Sequence, residues 1–229
     1  MKLGGNQPYF LPYIGYFQLI KTVDLYVIAD NLQYIKQGWI NRNHLLLNGQ
    51  SYLFNLSVLG ASPNKMINEI TVADDHRKLL KTIEISYRRA PFFSAVFPLL
   101  ENIFHYEDKN LARFNGNGLM QIADYLHFDT KFTYLSDVNR DTTLKAQNMA
   151  LNLCSVLGAT EYINAIGGTV LYDKEMFKNN GIDLFFLKTR PIEYKQFNNT
   201  FVPNLSILDV LMFNSIEQTN ELLLQFDLV

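Results

Sequence analysis

Residues 24–30, DLYVIAD, place five consecutive apolar side chains between two aspartates. A short apolar run of this kind is typical of a strand that is buried on both faces, as in a parallel sheet. The strand is predicted to end at Asp30, where a polar stretch begins. Because ligands of parallel sheets bind beyond the carboxyl ends of the strands, Asp30 and the loop after it lie where a binding site is expected.

A helix is predicted before this strand and a hairpin after it. The helix covers residues 11–22, and the chain enters it through a proline-rich turn at residues 7–12. Asn48 followed by Gly49 is a strong turn signal between residues 45–47 and 52–58.

The rest of the chain alternates between helical and strand patterns. Residues 74–128 have the spacing of helices, interrupted by two prolines. The later predicted elements are a strand at 131–135, a helix capped by Thr142 or Thr143 and stopped by Gly158, a helix at 173–179, a strand at 182–187 and a helix at 205–213. This order predicts an α/β protein with a Rossmann-like, mostly parallel sheet and a helical insertion at about residues 74–128, in a single domain over residues 1–229.

Composition argues against several classes of partner. With 20 basic against 22 acidic residues, the net charge of -2 offers no general field for nucleic acid or an anionic membrane. No run approaches the roughly 18 to 20 apolar residues that span a bilayer, so a cytoplasmic protein is expected. The single cysteine, Cys154, lies in an apolar helical stretch and is predicted to be a core residue in a reducing compartment.

Standard catalytic and metal-binding motifs are missing from the sequence. It contains no nucleophile elbow, no zinc-protease motif, no P-loop and no paired C-x-x-C. The histidines at positions 44, 76, 105 and 127 are scattered, so no metal site is expected and each is interpreted as a surface or capping residue. No cofactor is assigned.

Two stretches carry enough polar or aromatic side chains for a binding site. Residues 30–43 combine a carboxylate, two cations, several amides and Trp39, a set that suits a phosphate, a sugar or a flat ring. A solvated loop with local charge pairs is the alternative. In residues 7–17, QPYFLPYIGYF, the tyrosines could present their hydroxyls to a ligand, and Gly15 would let a ligand or another backbone segment approach closely. The alternative there is a proline-fixed entry to a core helix.

Together the two stretches resemble the WbqC-like family of bacterial proteins. The resemblance rests on QPYFLPYIGYF at 7–17, DLYVIADNLQY at 24–34 and KQGWINRN at 36–43, and continues to FVPNLSILDVLMFN at 201–214. The family is associated with the biosynthesis of O-antigen and other surface polysaccharides, and its reaction is poorly defined. The resemblance makes the polar residues of the shared motifs the best site candidates: Gln7, Tyr13, Asp30, Gln33, Lys36, Trp39, Asn41, Arg42, Gln196, Ser206 and Asp209.

One departure from the family lies at the start of the chain. The family usually shows a hydrophobic strand before Q-P, often with His or Ser nearby, whereas this chain has Leu3-Gly4-Gly5-Asn6. The first strand is therefore in doubt, and no role of a family histidine is carried over to Asn6. The layout also resembles nucleotidyltransferases that hold phosphates with H-x-G-H, but Tyr13 and Tyr16 stand where the histidines would be. Tyrosine cannot supply the same charge near pH 7.

The resemblance implies a transferase that acts on an activated (amino)sugar in surface-polysaccharide biosynthesis, with acyl or aminoacyl transfer favoured. Asp30 or Asp209 would be the general base, Lys36 and Arg42 would hold phosphates, and Tyr13 and Trp39 would stack on the base or sugar. The expected partner is a small molecule, either a sugar nucleotide or an acyl donor; the oligomeric state is left open. Two alternatives stay open: a non-catalytic module that binds a nucleotide sugar or a protein, and a nucleotidyltransferase-like enzyme.

Overall fold

The protein is built around a six-stranded sheet, seen in a computed structural model that describes residues 1–198 and 200–229. The strands are β1 (Lys2–Asn6), β2 (Leu25–Ile28), β3 (Arg42–Leu47), β4 (Gln50–Asn55), β5 (Val58–Leu59), β6 (Thr71–Val72), β7 (Lys131–Tyr134), β8 (Glu161–Ala165), β9 (Asp183–Thr189) and β10 (Phe226–Leu228). The helices are α1 (Ile14–Thr22), α2 (Arg77–Tyr87), α3 (Phe93–Phe104), α4 (Leu111–Tyr125), α5 (Ala146–Leu157), α6 (Lys174–Asn179), α7 (Ile207–Phe213) and α8 (Ile216–Leu222).

The strand order of the sheet is β7-β2-β1-β8-β9-β10, and only β10 runs antiparallel to its neighbour. Numbered along the chain, these six strands stand in the order 3-2-1-4-5-6 of a doubly wound sheet. The predicted Rossmann-like, mostly parallel α/β fold is therefore confirmed. The order reverses between β1 and β8, and in such sheets this switch point opens a crevice at the carboxyl ends of the two strands.

Two apolar layers cover the faces of the sheet. Along β2, Tyr26 belongs to the layer that contains α1 and α4, whereas Val27 belongs to the opposite layer with α5 and α6. This alternation explains the continuous apolar run from which the strand was predicted. Cys154 is fully buried in the second layer, as predicted, and burial raises the pKa of its thiol to about 12.

The doubtful first strand does form and lies in the middle of the sheet. Its two glycines are needed for close approach to both neighbours. A Cβ atom on Gly5 would lie 2.5 Å from the carbonyl oxygen of Val27, and one on Gly4 would lie 3.0 Å from the carbonyl oxygen of Ile163. Glycine has a low strand propensity, yet here it lets three backbones come together.

The connection from β2 to β7 carries the predicted hairpin and helices. Asn48 and Gly49 both have positive φ, 53° and 75°, as a two-residue hairpin turn between β3 and β4 requires. Helices α2, α3 and α4 follow, and α4 packs on α3 and on α1. The helices predicted within residues 74–128 are therefore confirmed.

Several boundaries differ from the predicted ones. Helix α1 begins at Ile14 and not at residue 11, because Leu11 has a φ of 45° and Pro12 follows it. Thr142 and Thr143 do not cap α5, which begins at Ala146; Thr143 is bonded to Asp141 instead. Gly158 does end α5, with a φ of 69°. Helix α8 and strands β8 and β10 were not predicted. Among residues 1–198 and 200–229, no helix has the length and apolar character to cross a membrane.

Candidate functional site

A cavity of about 350 Å³ opens at the switch point of the sheet and is called the switch-point cavity. Residues at the carboxyl ends of β1 and β8 form its floor, while α5 and the turn after β8 form its sides. Its principal lining residues are Asn6, Gln7, Tyr9, Ala29, Met149, Leu153, Tyr162, Asn164, Gly167, Gly168, Leu171 and Tyr172. Both its position and its size are those of a small-molecule site in a doubly wound protein.

Two asparagines at neighbouring strand ends share one arrangement. The Oδ1 atom of Asn6 accepts a hydrogen bond of 2.8 Å from the backbone N–H of Gln7, and Oδ1 of Asn164 accepts one of 2.7 Å from Ala165. Each oxygen therefore accepts one bond from the backbone that follows, which helps to fix the rotamer of the side chain. The Nδ2 group of Asn6 makes no hydrogen bond to the residues that the structure describes, and that of Asn164 donates to the hydroxyl of Tyr162 at a long 3.5 Å. Both asparagines line the cavity from adjacent strands, and the amide N–H is the group that each can offer to a ligand.

The lining of the switch-point cavity carries no charged side chain among the described residues. Burial raises the pKa of Tyr162 well above its usual value, and burial together with Tyr13 raises the pKa of Tyr9. Both tyrosines therefore keep their hydroxyl protons near pH 7. The cavity combines neutral hydrogen-bonding groups with Met149 and leucine side chains, a combination that suits a neutral, partly flat ligand group such as a nucleoside.

The turn from Gln7 to Pro12 forms one wall of the cavity and is held by its backbone carbonyl groups. Tyr16 Oη donates to the carbonyl of Gln7 at 2.7 Å, and Asn115 Nδ2 donates to that of Pro8 at 2.9 Å. The carbonyl of Leu11 accepts two bonds of 2.7 Å, from Asn43 Nδ2 and Ser206 Oγ. Since donors from α1, β3, α4 and the residue before α7 fix this irregular turn, its backbone is held in place before any ligand binds.

A second cavity, of about 260 Å³, lies beyond the same turn and is called the aromatic cavity. Its lining residues are Tyr9, Pro12, Tyr13, Trp39, Asn43, His44 and Asn204. Tyr9 lines both cavities, so the two share a wall residue. The two cavities form a pair of neighbouring sites on one rigid turn.

The structure brings three of the residues expected to bind substrate to these cavities. Gln7 lines the switch-point cavity, and Tyr13 and Trp39 line the aromatic cavity. Arg42 lines neither; its Nε donates to the carbonyl of Gly38 at 2.8 Å and its guanidinium carbon lies 5.6 Å from the Trp39 ring centre. Lys36 is exposed on the loop before it.

The remaining residues expected to bind substrate make hydrogen bonds within the protein. Asn41 bonds to Tyr34 and to the backbone of Leu56, Gln33 bonds to the carbonyl of Pro63, and Ser206 caps α7. These bonds hold the loop before β3 and the start of α7 against the rest of the chain.

Asp30, one of the two expected general bases, is 1% exposed and held by the segment after β7. Its carboxylate accepts bonds from the backbone N–H and the hydroxyl of Ser136, at 3.0 and 2.6 Å. Asn68 Nδ2 lies 3.5 Å from it. The carboxylate links the segment after β2 to the segment after β7. It lines neither of the two cavities.

Asp209, the other expected base, is fully buried in α7. It accepts hydrogen bonds from the hydroxyls of Tyr87 and Tyr194, at 2.8 and 2.7 Å, and from Gln196 Nε2 at 2.6 Å. Burial raises the pKa of Asp209, and the three donors oppose that shift. The expected site residue Gln196 therefore serves, in this structure, as a partner of Asp209.

Several cavity residues were not among the candidates drawn from the sequence: Asn6, Tyr9, Asn164, Tyr172, the Gly167-Gly168 pair and His44. Asn6 and Asn164 are 158 residues apart and meet only because β1 pairs with β8. These residues could have been found from the rule that ligands bind at the carboxyl ends of parallel strands. Applying that rule requires the strand order of the sheet, which the sequence did not reveal.

The fold and the two cavities define a doubly wound α/β protein with a cavity of ligand size at its switch point. The chain belongs to the WbqC-like protein family, whose model matches residues 7–221. It is similar to the uncharacterized protein Rv1507c of Mycobacterium tuberculosis, with 30% identity over 213 residues that cover 91% of each chain. No solved structure matches it.

Proposed function

We propose that this chain is a transferase that binds an activated donor in the switch-point cavity and modifies an activated (amino)sugar in the biosynthesis of a bacterial surface polysaccharide such as an O-antigen. Acyl or aminoacyl transfer is the favoured reaction. The observation that carries the proposal is the cavity at the switch point, with asparagine amides at its floor and a ligand-sized space above them. The resemblance to proteins of surface-polysaccharide biosynthesis supports the sugar substrate.

The lining of the cavity favours one part of such a donor. Sugar nucleotides and acyl-coenzyme A thioesters both contain a nucleoside attached to phosphates. A nucleoside can hydrogen-bond to the amides of Asn6 and Asn164 and pack against Met149 and Tyr172, all of which line the cavity. The phosphates and the reactive group would then extend past Tyr9 towards the aromatic cavity.

A thermal-shift panel tests donor binding directly. The purified protein is screened against nucleotides, sugar nucleotides, acyl-coenzyme A species and amino acids. A ligand at 100 times its dissociation constant stabilises the native state by about 2.7 kcal/mol, which is roughly 5 to 10 °C for a chain of this size. Absence of any shift across the nucleotide-containing ligands would overturn the donor site.

A matched set of variants locates the binding. Asn6→Asp and Asn164→Asp keep the oxygen that accepts from the backbone but replace the donor N–H group with a negative oxygen. Each variant should weaken donor binding at least ~10-fold, about 1.4 kcal/mol. Asn64→Asp makes the same change at an exposed position outside both cavities and should leave affinity unchanged.

A non-catalytic module that binds a nucleotide sugar is the second candidate. It is favoured by the carboxylates: Asp30 and Asp209 are both hydrogen-bonded to protein groups, and no carboxylate is among the described residues that line either cavity. Mass spectrometry of an amino sugar incubated with the protein and a bound acyl donor separates the two. A gain of the acyl mass supports the transferase; donor binding without any product supports the binding module.

A further inference from the structure

The aromatic cavity has the chemistry of a carbohydrate subsite. Three rings line it, those of Tyr9, Tyr13 and Trp39, together with the imidazole of His44. Its 260 Å³ is below the roughly 300–1,000 Å³ of sites for drug-sized ligands, so it fits one small ring better than a whole nucleotide sugar. An apolar ring face beside a few polar groups matches a pyranose, which has C–H groups on its faces and hydroxyls around its edge.

The rings of this cavity are held in place. A Cβ atom on Gly15 would lie 2.5 Å from the Tyr13 ring, so the ring packs directly over the glycine. The Trp39 ring lies 5.6 Å from the His44 ring, between centres, and 5.6 Å from the Arg42 guanidinium carbon. Even so, Tyr13 is 40% and Trp39 46% exposed, so both offer an open face to a ligand.

The wall of the aromatic cavity is almost wholly apolar, and His44 and Asn204 are two of the few lining residues with a polar side chain. The backbone of His44 is fixed, because its N–H donates to Asn43 Oδ1 and its carbonyl accepts from Ser206. Its imidazole makes no hydrogen bond to any residue in the part of the chain that the structure describes. Asn204 has a φ of 59°, a conformation that asparagine tolerates, and is one of the residues that line the cavity.

We propose that the aromatic cavity binds the pyranose ring of the sugar substrate, with the ring stacked on Trp39 and Tyr13 and a hydroxyl hydrogen-bonded to His44. The role of this sugar as the acceptor rests on the proposed function; the binding of the sugar does not. Tyr9, which lines both cavities, then stands between donor and acceptor. His44 becomes a substrate-binding residue, where the sequence indicated only a surface or capping one.

The tryptophan provides a specific signal for this site, because Trp39 is the only one in the chain. Its intrinsic fluorescence is followed while the full-length protein is titrated with glucose, galactose, N-acetylglucosamine or N-acetylgalactosamine, without any donor. Sorbitol, an open-chain polyol without a ring face, is the control ligand. The expected result is a saturable change with at least one pyranose and none with sorbitol. Equal responses to both kinds of ligand, or no response to any pyranose, would overturn the site.

Variants and a second measurement complete the test. Tyr13→Ala and His44→Ala should each weaken pyranose binding about tenfold. Tyr52→Ala, which removes another exposed ring on β4, should not change it. Should a site variant fail to fold, saturation-transfer NMR on the unmodified protein remains decisive: the protons of one pyranose face must receive the strongest transfer, and uniform transfer contradicts stacking. Donor binding that fails while a pyranose still binds would refute the proposed function alone; the reverse would refute this subsite alone.

Discussion

At the scale of single residues, Asp209 shows how a functional-looking carboxylate can be structural. Its three hydrogen-bond donors, from Tyr87, Tyr194 and Gln196, all belong to the protein. Tyr87 also accepts a bond of 2.8 Å from the backbone N–H of Leu46, so its own proton must point at Asp209. The carboxylate therefore joins α7 to β3, α2 and the segment before α7.

This network predicts that Asp209→Asn lowers the free energy of unfolding by about 1–3 kcal/mol, because the new amide places a donor against groups that are already donors. Urea denaturation near neutral pH measures the change. Asp129→Asn, at an exposed position, is the matched control and should leave stability unchanged. An Asp209→Asn protein with unchanged stability but no transferase activity would instead restore Asp209 as a catalytic base.

At the scale of elements, the start of α1 couples helix formation to the aromatic cavity. Gly15 occupies the first turn of α1, and an added Cβ there would lie 2.5 Å from both the Tyr13 ring and Thr189 Oγ1. Alanine favours a helix by about 1 kcal/mol over glycine, so Gly15→Ala should leave the helix intact while displacing the Tyr13 ring and the Thr189 side chain.

We expect Gly15→Ala to weaken pyranose binding about as much as Tyr13→Ala does, with a change in melting temperature of only a few degrees. Gly118→Ala is the matched control, because its Cβ would meet Ile103 at an ordinary 3.4 Å in α4. That variant should keep full binding. Normal sugar affinity in Gly15→Ala would mean that the position of the Tyr13 ring is not important.

The same scale shows what the sequence could and could not predict. β2 and the hairpin after it were predictable, since an apolar run and an Asn-Gly turn are local signals. β1 was doubtful because Leu3-Gly4-Gly5-Asn6 stands where the family resemblance implies a hydrophobic strand, and the advantage of the two glycines appears only once β2 and β8 pack on either side. The loop after Asp30 was placed at the correct edge of the sheet, but the cavity centres on β1 and β8, whose pairing no local pattern encodes.

At the scale of the whole molecule, the distribution of charge distinguishes donor binding through the nucleoside from donor binding through the phosphates. The chain has a net charge of -2, and no charged side chain is among the described residues that line the switch-point cavity. A site of this kind gains little from phosphates, whereas the sequence-based expectation was that Lys36 and Arg42 hold them. In the structure Lys36 is exposed, and Arg42 is bonded to the carbonyl of Gly38.

From the neutral lining we expect a nucleoside and its diphosphate to bind within about tenfold of each other, with a shallow dependence on salt because screening acts mainly on exposed charge pairs. Calorimetric titrations of both ligands at 50 and at about 500 mM salt, where the Debye length has fallen well below 10 Å, measure the difference. A diphosphate that binds more than about 100-fold tighter, with a steep salt dependence, would contradict it. If Lys36→Ala or Arg42→Ala then abolished that gain, the loop before β3 would have to close over the donor phosphates, and these two cations would be the anion site that the sequence predicted.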